Sequence, residues 1–385
     1  MPSEAGIPPE IVDKILSYVQ SDTRTLLSCC RASRGFSARV IPLLYRDLDI
    51  LYLTETRMAG RKRVVEYHLS RSSALLLDAL YVNPSLGKYC AQVTIKTRPK
   101  ELSDMVRLRT EPTVESMTEL FERLPYAEEL VGPSSSLGRG LGYDPLSAAI
   151  AGALPALGGP TKALRRLKVA HLDDTTFPPL LQCPNLVRLD VGEARTNYPP
   201  PANPRPPFHL ESLSFRAADD ALFAYGTSNS HDSLVHLSAP FSFPFAQLAS
   251  PFRNLTDLTI TFADYAYTDS HKRSRLIGAL NLYLSTDSIL RTLTLSNSDG
   301  TPRANRLTLL DSLPPRVHAL LLSPFDLLPD VAVEKLPNWP ASLKKVRWTA
   351  GFWGNDWTVE QKETVEEACR AKGIEEVEFV SLDEA

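Results

Sequence analysis

The chain has 385 residues, of which 43% are hydrophobic and 23% are charged, and its formal net charge is -3. This length favours two domains or one extended array over a single compact core, and the near-neutral charge gives no reason to expect a nucleic acid or an anionic membrane as a partner. Five cysteines without a CxxC pair indicate reduced thiols, as in a protein of the cytoplasm or the nucleus. The longest uncharged stretch, 145–161, is shorter than the roughly 20 apolar residues that a membrane span requires.

The first 50 residues predict three short helices. Pro9 suits the first position of a helix whose apolar face carries Ile11, Ile15 and Leu16. Asp22 is the predicted N-cap of the second helix, and a third follows over 36–45. Units this small usually need a metal, a disulfide or a partner, and neither metal ligands nor paired cysteines are visible here. The apolar excess therefore predicts a partner protein.

This segment contains, in order, a Pro-Pro-Glu-Ile opening, a Leu-Leu-Ser-Cys-Cys helix, a Ser-Arg-Gly-Phe segment and a Leu-Leu-Tyr-Arg-Asp-Leu ending. With these features residues 7–50 resemble an F-box of the fungal type, in which Ile7 and Phe36 replace the usual Leu and Trp. The resemblance implies docking to the Skp-type adaptor of a Skp–cullin–F-box ubiquitin ligase. We expect the adaptor-binding residues to be Pro8, Ile11, Ile15, Leu16, Leu26 and Leu27. A helical cap on the downstream domain is the alternative.

From residue 90 onward a motif with three apolar positions recurs, in the form apolar-x-x-apolar-x-apolar. It begins at Cys90, Leu164, Leu186, Leu210, Leu234, Leu255, Leu290, Val317, Leu343 and Ile374. The starts from Leu164 to Leu255 are separated by 22, 24, 24 and 21 residues. This spacing lies within the leucine-rich-repeat period of about 20–29 residues.

The spacing of the motif predicts short parallel strands. The second and third apolar positions point inward, and a return segment joins each strand to the next, so that the units stack into an α/β solenoid. The array resembles leucine-rich repeats but is irregular, because the Asn that usually follows the strand is absent after Val169, Val191, Phe215 and Ile260. We predict an F-box helical domain over 1–50, a helical connector over 51–89 and the solenoid over 90–385. An ordinary α/β sheet is the alternative.

Signatures of catalysis, metal binding or cofactor binding are not visible in the sequence. The seven histidines lack a ligand spacing, and the glycine loop Gly138–Gly142 lacks the Gly-Lys-Ser/Thr ending of a phosphate-binding loop. We therefore expect a non-enzymatic receptor without cofactors, which brings a target protein to a cullin ligase. A non-catalytic interaction scaffold outside any ligase is the alternative.

Target recognition is predicted on the strand positions that alternate with the buried ones. Basic side chains there suit an extended acidic or phosphorylated segment of a target protein. The expected target-binding residues are Arg166, Lys168, Arg188, Arg216, His236, Lys345 and Arg347. The alternatives are ordinary solvated positions on this face, or a surface around Trp353 and Trp357.

Overall fold

The computed structural model divides into two compact units. The first comprises Met1–Ala170 and Thr175–Leu186, and the second comprises His171–Asp174 and Val187–Ala385. The residues that the structure describes are 9–19, 22–59, 62–101, 112–133, 145–172, 177–194, 206–218, 227–240, 252–262, 270–285, 289–297, 308–311, 313–323, 328–349 and 357–380.

The first unit opens with three helices, α1 (Pro9–Val19), α2 (Thr23–Ala32) and α3 (Arg34–Leu44). The carboxylate of Asp22 accepts hydrogen bonds from the backbone amides of Arg24 and Thr25, and the hydroxyl of Ser33 accepts one from the amide of Phe36. These two caps satisfy amides that have no partner within the helix. Helices α2 and α3 therefore begin at residues that the sequence itself marks.

A small hydrophobic core holds these helices together. It consists of Val12, Leu16, Leu26 and Val40, none of which is more than 8% exposed. Partly buried apolar residues on all three helices pack around it. The predicted three-helix cluster is therefore present, whereas its identification as an F-box stays a prediction.

The first unit continues with the strands β1 (Asp47–Ala59), β2 (Lys62–Leu69), β3 (Gln92–Pro99), β4 (Glu129–Val131) and β5 (Arg166–Leu172). Their order is β2-β1-β3-β4-β5, with β2 antiparallel to β1 and the other pairs parallel. Its helices after α3 are α4 (Arg71–Val82), α5 (Val114–Glu122), α6 (Pro145–Gly158) and α7 (Phe177–Leu180).

The helical connector predicted over 51–89 is therefore corrected. Strands occupy most of 51–69, and only α4 and the 3-10 helix Pro84–Tyr89 are helical. The physical reason is that Leu48 and Ile50 lie opposite Val93 and Ile95 in the parallel pair β1–β3. Joining two parallel strands requires a crossover connection, and α4 provides it.

Helix α6 corresponds to the uncharged stretch of the sequence. It is 14 residues long, and eight of its residues, among them Leu146, Ile150 and Leu154, are buried. Within the part of the chain that the structure describes, no helix combines the length and the apolar character needed to cross a bilayer.

The second unit contains eight described strands, in the order of the chain. They are β6 (Arg188–Ala194), β7 (Ser212–Ala218), β8 (His236–Pro240), β9 (Asp257–Phe262), β10 (Thr292–Asn297), β11 (Ala319–Leu322), β12 (Lys345–Thr349) and β13 (Glu376–Val380). Each pairs in parallel with the next. The helices are α8 (Ser270–Ser285), α9 (Pro329–Lys335) and α10 (Val359–Lys372).

The second apolar position of the motif forms a continuous row across these strands. In register, this inward row consists of Leu189, Leu213, Leu237, Leu258, Leu293, Leu320, Val346 and Val377. From Leu189 to Val346 its members are at most 2% exposed. The predicted α/β arrangement of parallel strands with a shared apolar register is therefore confirmed.

Candidate functional site

Helix α1 carries two neighbouring apolar stripes that differ in burial. Val12 and Leu16 are 8% and 3% exposed and pack into the core of the three-helix cluster. Ile11, Ile15 and Tyr18, here called the α1 stripe, are 51%, 44% and 77% exposed. Residues four and then three positions apart lie on one face of a helix, so the α1 stripe is a single exposed apolar surface.

Helix α2 repeats this division with two adjacent leucines. Leu26 is 2% exposed and belongs to the core, whereas Leu27 is 46% exposed. Successive residues on a helix point about 100° apart, because 3.6 residues complete a turn. One leucine therefore faces α1 and α3 while the next faces away from the core.

The six predicted adaptor-binding residues thus have different places in the structure. Ile11, Ile15 and Leu27 are exposed, as an adaptor contact requires. The adaptor-binding role of Leu16 and Leu26 is corrected to a packing role, because the helices themselves bury both side chains. Pro8 lies outside the described residues. Tyr18, which the sequence analysis does not single out, is exposed on the same face of α1 as Ile11 and Ile15.

An ion pair joins α1 to α3 at the surface of the three-helix cluster. The guanidinium of Arg39 on α3 donates a hydrogen bond to the carboxylate of Asp13 on α1. Both side chains are partly exposed, and surface pairs of this kind contribute little to stability. The packing of Val12 and Leu16 into the core, rather than this pair, sets the side of α1 on which the α1 stripe lies.

Burial lowers the reactivity of four of the five cysteine thiols. It raises the pKa of Cys90, Cys183 and Cys369 to about 12. Burial also raises the pKa of Cys30 beside the three-helix core. Because the thiolate is the reactive form, these four side chains are packing residues at neutral pH.

The outward faces of the strands carry the predicted target-binding residues. One row in register, here called the outward row, consists of Arg188, Ser212, His236, Asp257, Thr292, Ala319, Lys345 and Glu376. Apart from Ala319 all of its members are polar, in contrast to the inward row. The alternation that the motif predicts is therefore present on both faces.

At the β12–β13 end of the second unit the basic residues are paired within the chain. The Nζ atom of Lys345 lies 2.8 Å from a carboxylate oxygen of Glu376 and 2.6 Å from one of Glu378, and Arg347 also binds Glu378. Glu376 and Glu378 raise the pKa of Lys345, while Lys345 and Arg347 lower the pKa of Glu378. An acidic target would have to displace these carboxylates.

Two further predicted residues have acidic neighbours. His236 Nδ1 lies 2.9 Å from Asp257 Oδ2, and Arg166 Nε lies 3.2 Å from Glu129 Oε2. Lys168 is exposed two residues after Arg166 on the same face of β5. The side chain of Arg216 lies outside the described residues.

Arg188 differs from these side chains. It is exposed at the start of β6, and among the described residues it forms no ion pair. Its in-register neighbour is the hydroxyl-bearing Ser212, and Asp190 two residues on lies opposite Ser214. Of the predicted target-binding residues in the second unit whose side chains are described, Arg188 is therefore the cation available to a partner.

The aromatic residues near the end of the chain form a packed cluster. Trp348 is 4% exposed, and its ring centroid lies 5.5 Å from that of Phe379 and 5.6 Å from that of Trp357. Trp339 stacks on Trp348 at 6.4 Å. Trp357 thus packs against the last strands, and Trp353 lies outside the described residues.

Comparisons with known proteins leave the family of the chain open. No protein-family model matches it, and no curated protein matches its sequence. Among solved structures, a protein from Bacteroides fragilis matches with 15% identity and a TM-score of 0.37, over 81% of this chain and 72% of that one. A likeness at this level assigns neither fold nor function.

Proposed function

We propose that the chain is a substrate-receptor subunit of a Skp–cullin–F-box ubiquitin ligase. The observation that carries the proposal is the exposed α1 stripe, together with Leu27, on a three-helix cluster whose own core is complete without them. The order of motifs in residues 7–50, which resembles a fungal-type F-box, supplies the identity of the expected partner. The receptor itself performs no chemistry, and ubiquitin transfer takes place on other subunits.

The energetics favour docking by a helix into an apolar groove. Complete burial of a large apolar side chain is worth roughly 1.5–3 kcal/mol, so a few anchors on one helix can dominate the binding free energy. Ile11, Ile15 and Tyr18 are such anchors on a single face of α1. The docking surface of the adaptor is therefore expected to be an apolar groove that receives this face.

The strand faces are the proposed target-binding surface. Arg188, beside Ser212, forms no ion pair with another described residue, and the fork of a guanidinium matches a carboxylate or a phosphate bidentately. Arg166 and Lys168 lie on β5, in the first unit, and Arg166 already pairs with Glu129. We therefore propose an acidic or phosphorylated segment as the target. His236, Lys345 and Arg347 contribute less, because carboxylates of the chain already neutralise them.

Adaptor capture by full-length chains tests the docking step. Ile15→Asp places a charge in the apolar interface, so we expect the affinity for a purified Skp-type adaptor to fall at least tenfold. Val82→Asp is the matched control, because Val82 is 83% exposed on α4 and lies outside the F-box-like segment. Calorimetric titration measures both variants. Equal loss in both, or no loss in either, would contradict docking through the α1 stripe.

The same measurement separates the two functional classes. A wild-type chain that is folded but captures no adaptor is a scaffold outside the ligase, and the receptor proposal is then wrong.

Charge reversal in Arg188→Glu tests the target surface separately, with a phosphoserine-containing acidic peptide library as the probe. We expect reduced peptide retention and unchanged adaptor capture, whereas Lys344→Glu, at an exposed position outside the outward row, leaves both unchanged.

A further inference from the structure

Strands β1 and β2 bring together three side chains of the types that bind metals. Glu55 and Glu66 lie directly opposite each other in the antiparallel register, and His68 follows Glu66 by two residues. Residues two apart project from the same face of a strand, so His68 and Glu66 share one face of β2. One ligand atom from each of the three residues lies within 4.8 Å of the other two.

The imidazole of His68 lacks the partner that its burial calls for. The residue is only 6% exposed, and neither Nδ1 nor Nε2 has a hydrogen-bond partner. Nε2 points toward Glu55, whose Oε2 lies 3.7 Å away, which is beyond hydrogen-bond range. Buried polar atoms are almost always satisfied by protein groups, water or ions. A buried imidazole at this position needs a further polar group, a water molecule or an ion beside the carboxylates.

The two carboxylates are a second unusual feature of this hairpin. Like charges placed directly opposite on neighbouring strands destabilise the pairing. Arg57 reaches Glu55 at 2.9 Å and Glu66 at 3.6 Å, and Lys100 reaches Glu55 at 3.0 Å. The two cations thus offset part of the repulsion between the carboxylates.

We propose that Glu55, Glu66 and His68 bind one divalent cation of the zinc type. The ligands would be Nε2 of His68 and one oxygen from each carboxylate. Zinc accepts imidazole nitrogen together with carboxylate oxygen, whereas calcium and magnesium prefer oxygen ligands alone. Bonds of about 2.0–2.2 Å place tetrahedral ligands roughly 3.3–3.6 Å apart, close to the 3.7 Å that separates Nε2 of His68 from Oε2 of Glu55.

The bound cation would link β1 to β2. In the first unit β2 is the terminal strand of the order β2-β1-β3-β4-β5, so it pairs with β1 alone. An edge strand has hydrogen-bonding partners on one side only. A metal shared by Glu55 on β1 and by Glu66 and His68 on β2 would fasten this strand to its neighbour and satisfy the buried imidazole at the same time.

The neighbouring cations predict opposite changes in metal affinity for two kinds of variant. A divalent ion on Glu55 competes with Arg57 and Lys100 for the same carboxylate and is repelled by their charge. Removal of Arg57 should therefore tighten metal binding, whereas removal of a ligand weakens it. A purely structural role of the cluster predicts no metal-dependent difference between these variants.

The test is titration of the metal-free full-length chain with Zn²⁺ by calorimetry, and with Co²⁺ by visible absorbance. We expect one ion per chain and a Co²⁺ spectrum that contains a nitrogen ligand. His68→Ala and the isosteric Glu66→Gln should weaken binding at least tenfold, and Arg57→Ala should tighten it several-fold. His236→Ala is the matched control, because His236 faces the single carboxylate of Asp257. The Zn²⁺ affinity of this variant should equal that of the wild type.

Several results would overturn the proposal. These are the absence of binding by the wild type, equal affinity in wild type and His68→Ala, or equal loss in His68→Ala and His236→Ala. If His68→Ala fails to fold, Glu66→Gln and Arg57→Ala decide, because only a metal site shifts their affinities in opposite directions. The outcome is independent of adaptor capture, so this site and the proposed receptor function can fail separately.

Discussion

The strands of the second unit and the helices at the start of the first unit differ in how completely they bury their apolar side chains. In the strands, the inward row from Leu189 to Val346 is at most 2% exposed, and the outward row is mostly polar. In the helices, four residues form the core while Ile11, Ile15, Tyr18 and Leu27 are each at least 44% exposed. The strands bury the apolar side chains of their inward row, whereas the helical cluster leaves several of its apolar side chains exposed.

The difference arises from geometry and size. A strand has two faces, and a neighbouring strand with the same motif continues each face, so one register buries every inward side chain. A helix presents a wide apolar stripe, and only two other short helices are available to cover that of α1. The surplus on α1 and α2 is therefore an apolar surface that another chain can bury by binding.

The largest effect is expected in the inward row. Leu258→Ala removes a side chain that is 1% exposed, between Leu237 and Leu293 on the flanking strands. Such a cavity costs about 2–5 kcal/mol. The control Thr259→Ala, at the next position on the outward face, should change the free energy of unfolding by about 0.5 kcal/mol or less. Urea denaturation followed by tryptophan fluorescence measures both, and similar losses would contradict the assignment of faces.

The next largest effect is the difference in stability loss between substitutions at two adjacent residues of α1, Leu16 and Ile15. Leu16→Ala should cost about 2 kcal/mol, at the low end for leucine because a small cluster can relax around the cavity. Ile15→Ala should cost about 0.5 kcal/mol or less, since Ile15 is already 44% exposed. Hydrogen exchange of the amides in α1, α2 and α3 reports this local stability. Equal loss of protection in both variants would show that the α1 stripe is part of the core.

Much of the strand array follows from the sequence, because one apolar motif fixes strand, register and face at once. Strands β1 and β2 nevertheless differ from the prediction, which assigned their residues to the helical unit and the helical connector. Tyr45, Leu48 and Ile50 repeat the motif in β1, but they were interpreted as the end of the helical unit. A strand is expected over 128–131, where β4 lies, but it is outside the motif series because Gly132 stands at the third apolar position. The motif alone therefore does not show where the array begins.

The candidate sites were less predictable than the strands. Periodicity places Ile11, Ile15 and Leu16 on one broad face of α1, but the packing of α2 and α3 decides which half of that face is buried. Pairing across strands depends likewise on tertiary register. Lys345 meets Glu378 from 33 residues away, and Glu55 meets His68 across a hairpin that periodicity had assigned to a helical connector.

The smallest effect concerns the paired charges on the outward face. Lys345 and Arg347 hold the pKa of Glu378 below its ordinary value of 4.5. The folded chain therefore binds fewer protons at this site than the unfolded chain when the pH lies between the two pKa values. The stability that Glu378 contributes is complete above about pH 4.5 and is lost as the pH falls through the folded-state pKa.

The prediction is a difference between pH profiles. The wild type should lose slightly more stability than Glu378→Gln between about pH 5 and pH 3, because only the wild type gives up this pair. The extra loss should shrink at about 1 M salt, where the Debye length is roughly 3 Å and partly exposed charges are screened. Glu360→Gln is the control, since Glu360 is exposed in the first turn of α10 and lies outside the network. Thermal unfolding of the three chains at each pH measures the difference. Parallel profiles for the wild type and Glu378→Gln would mean that the pair is as weak as an isolated surface contact, and Lys345 and Arg347 would then be open to an acidic target after all.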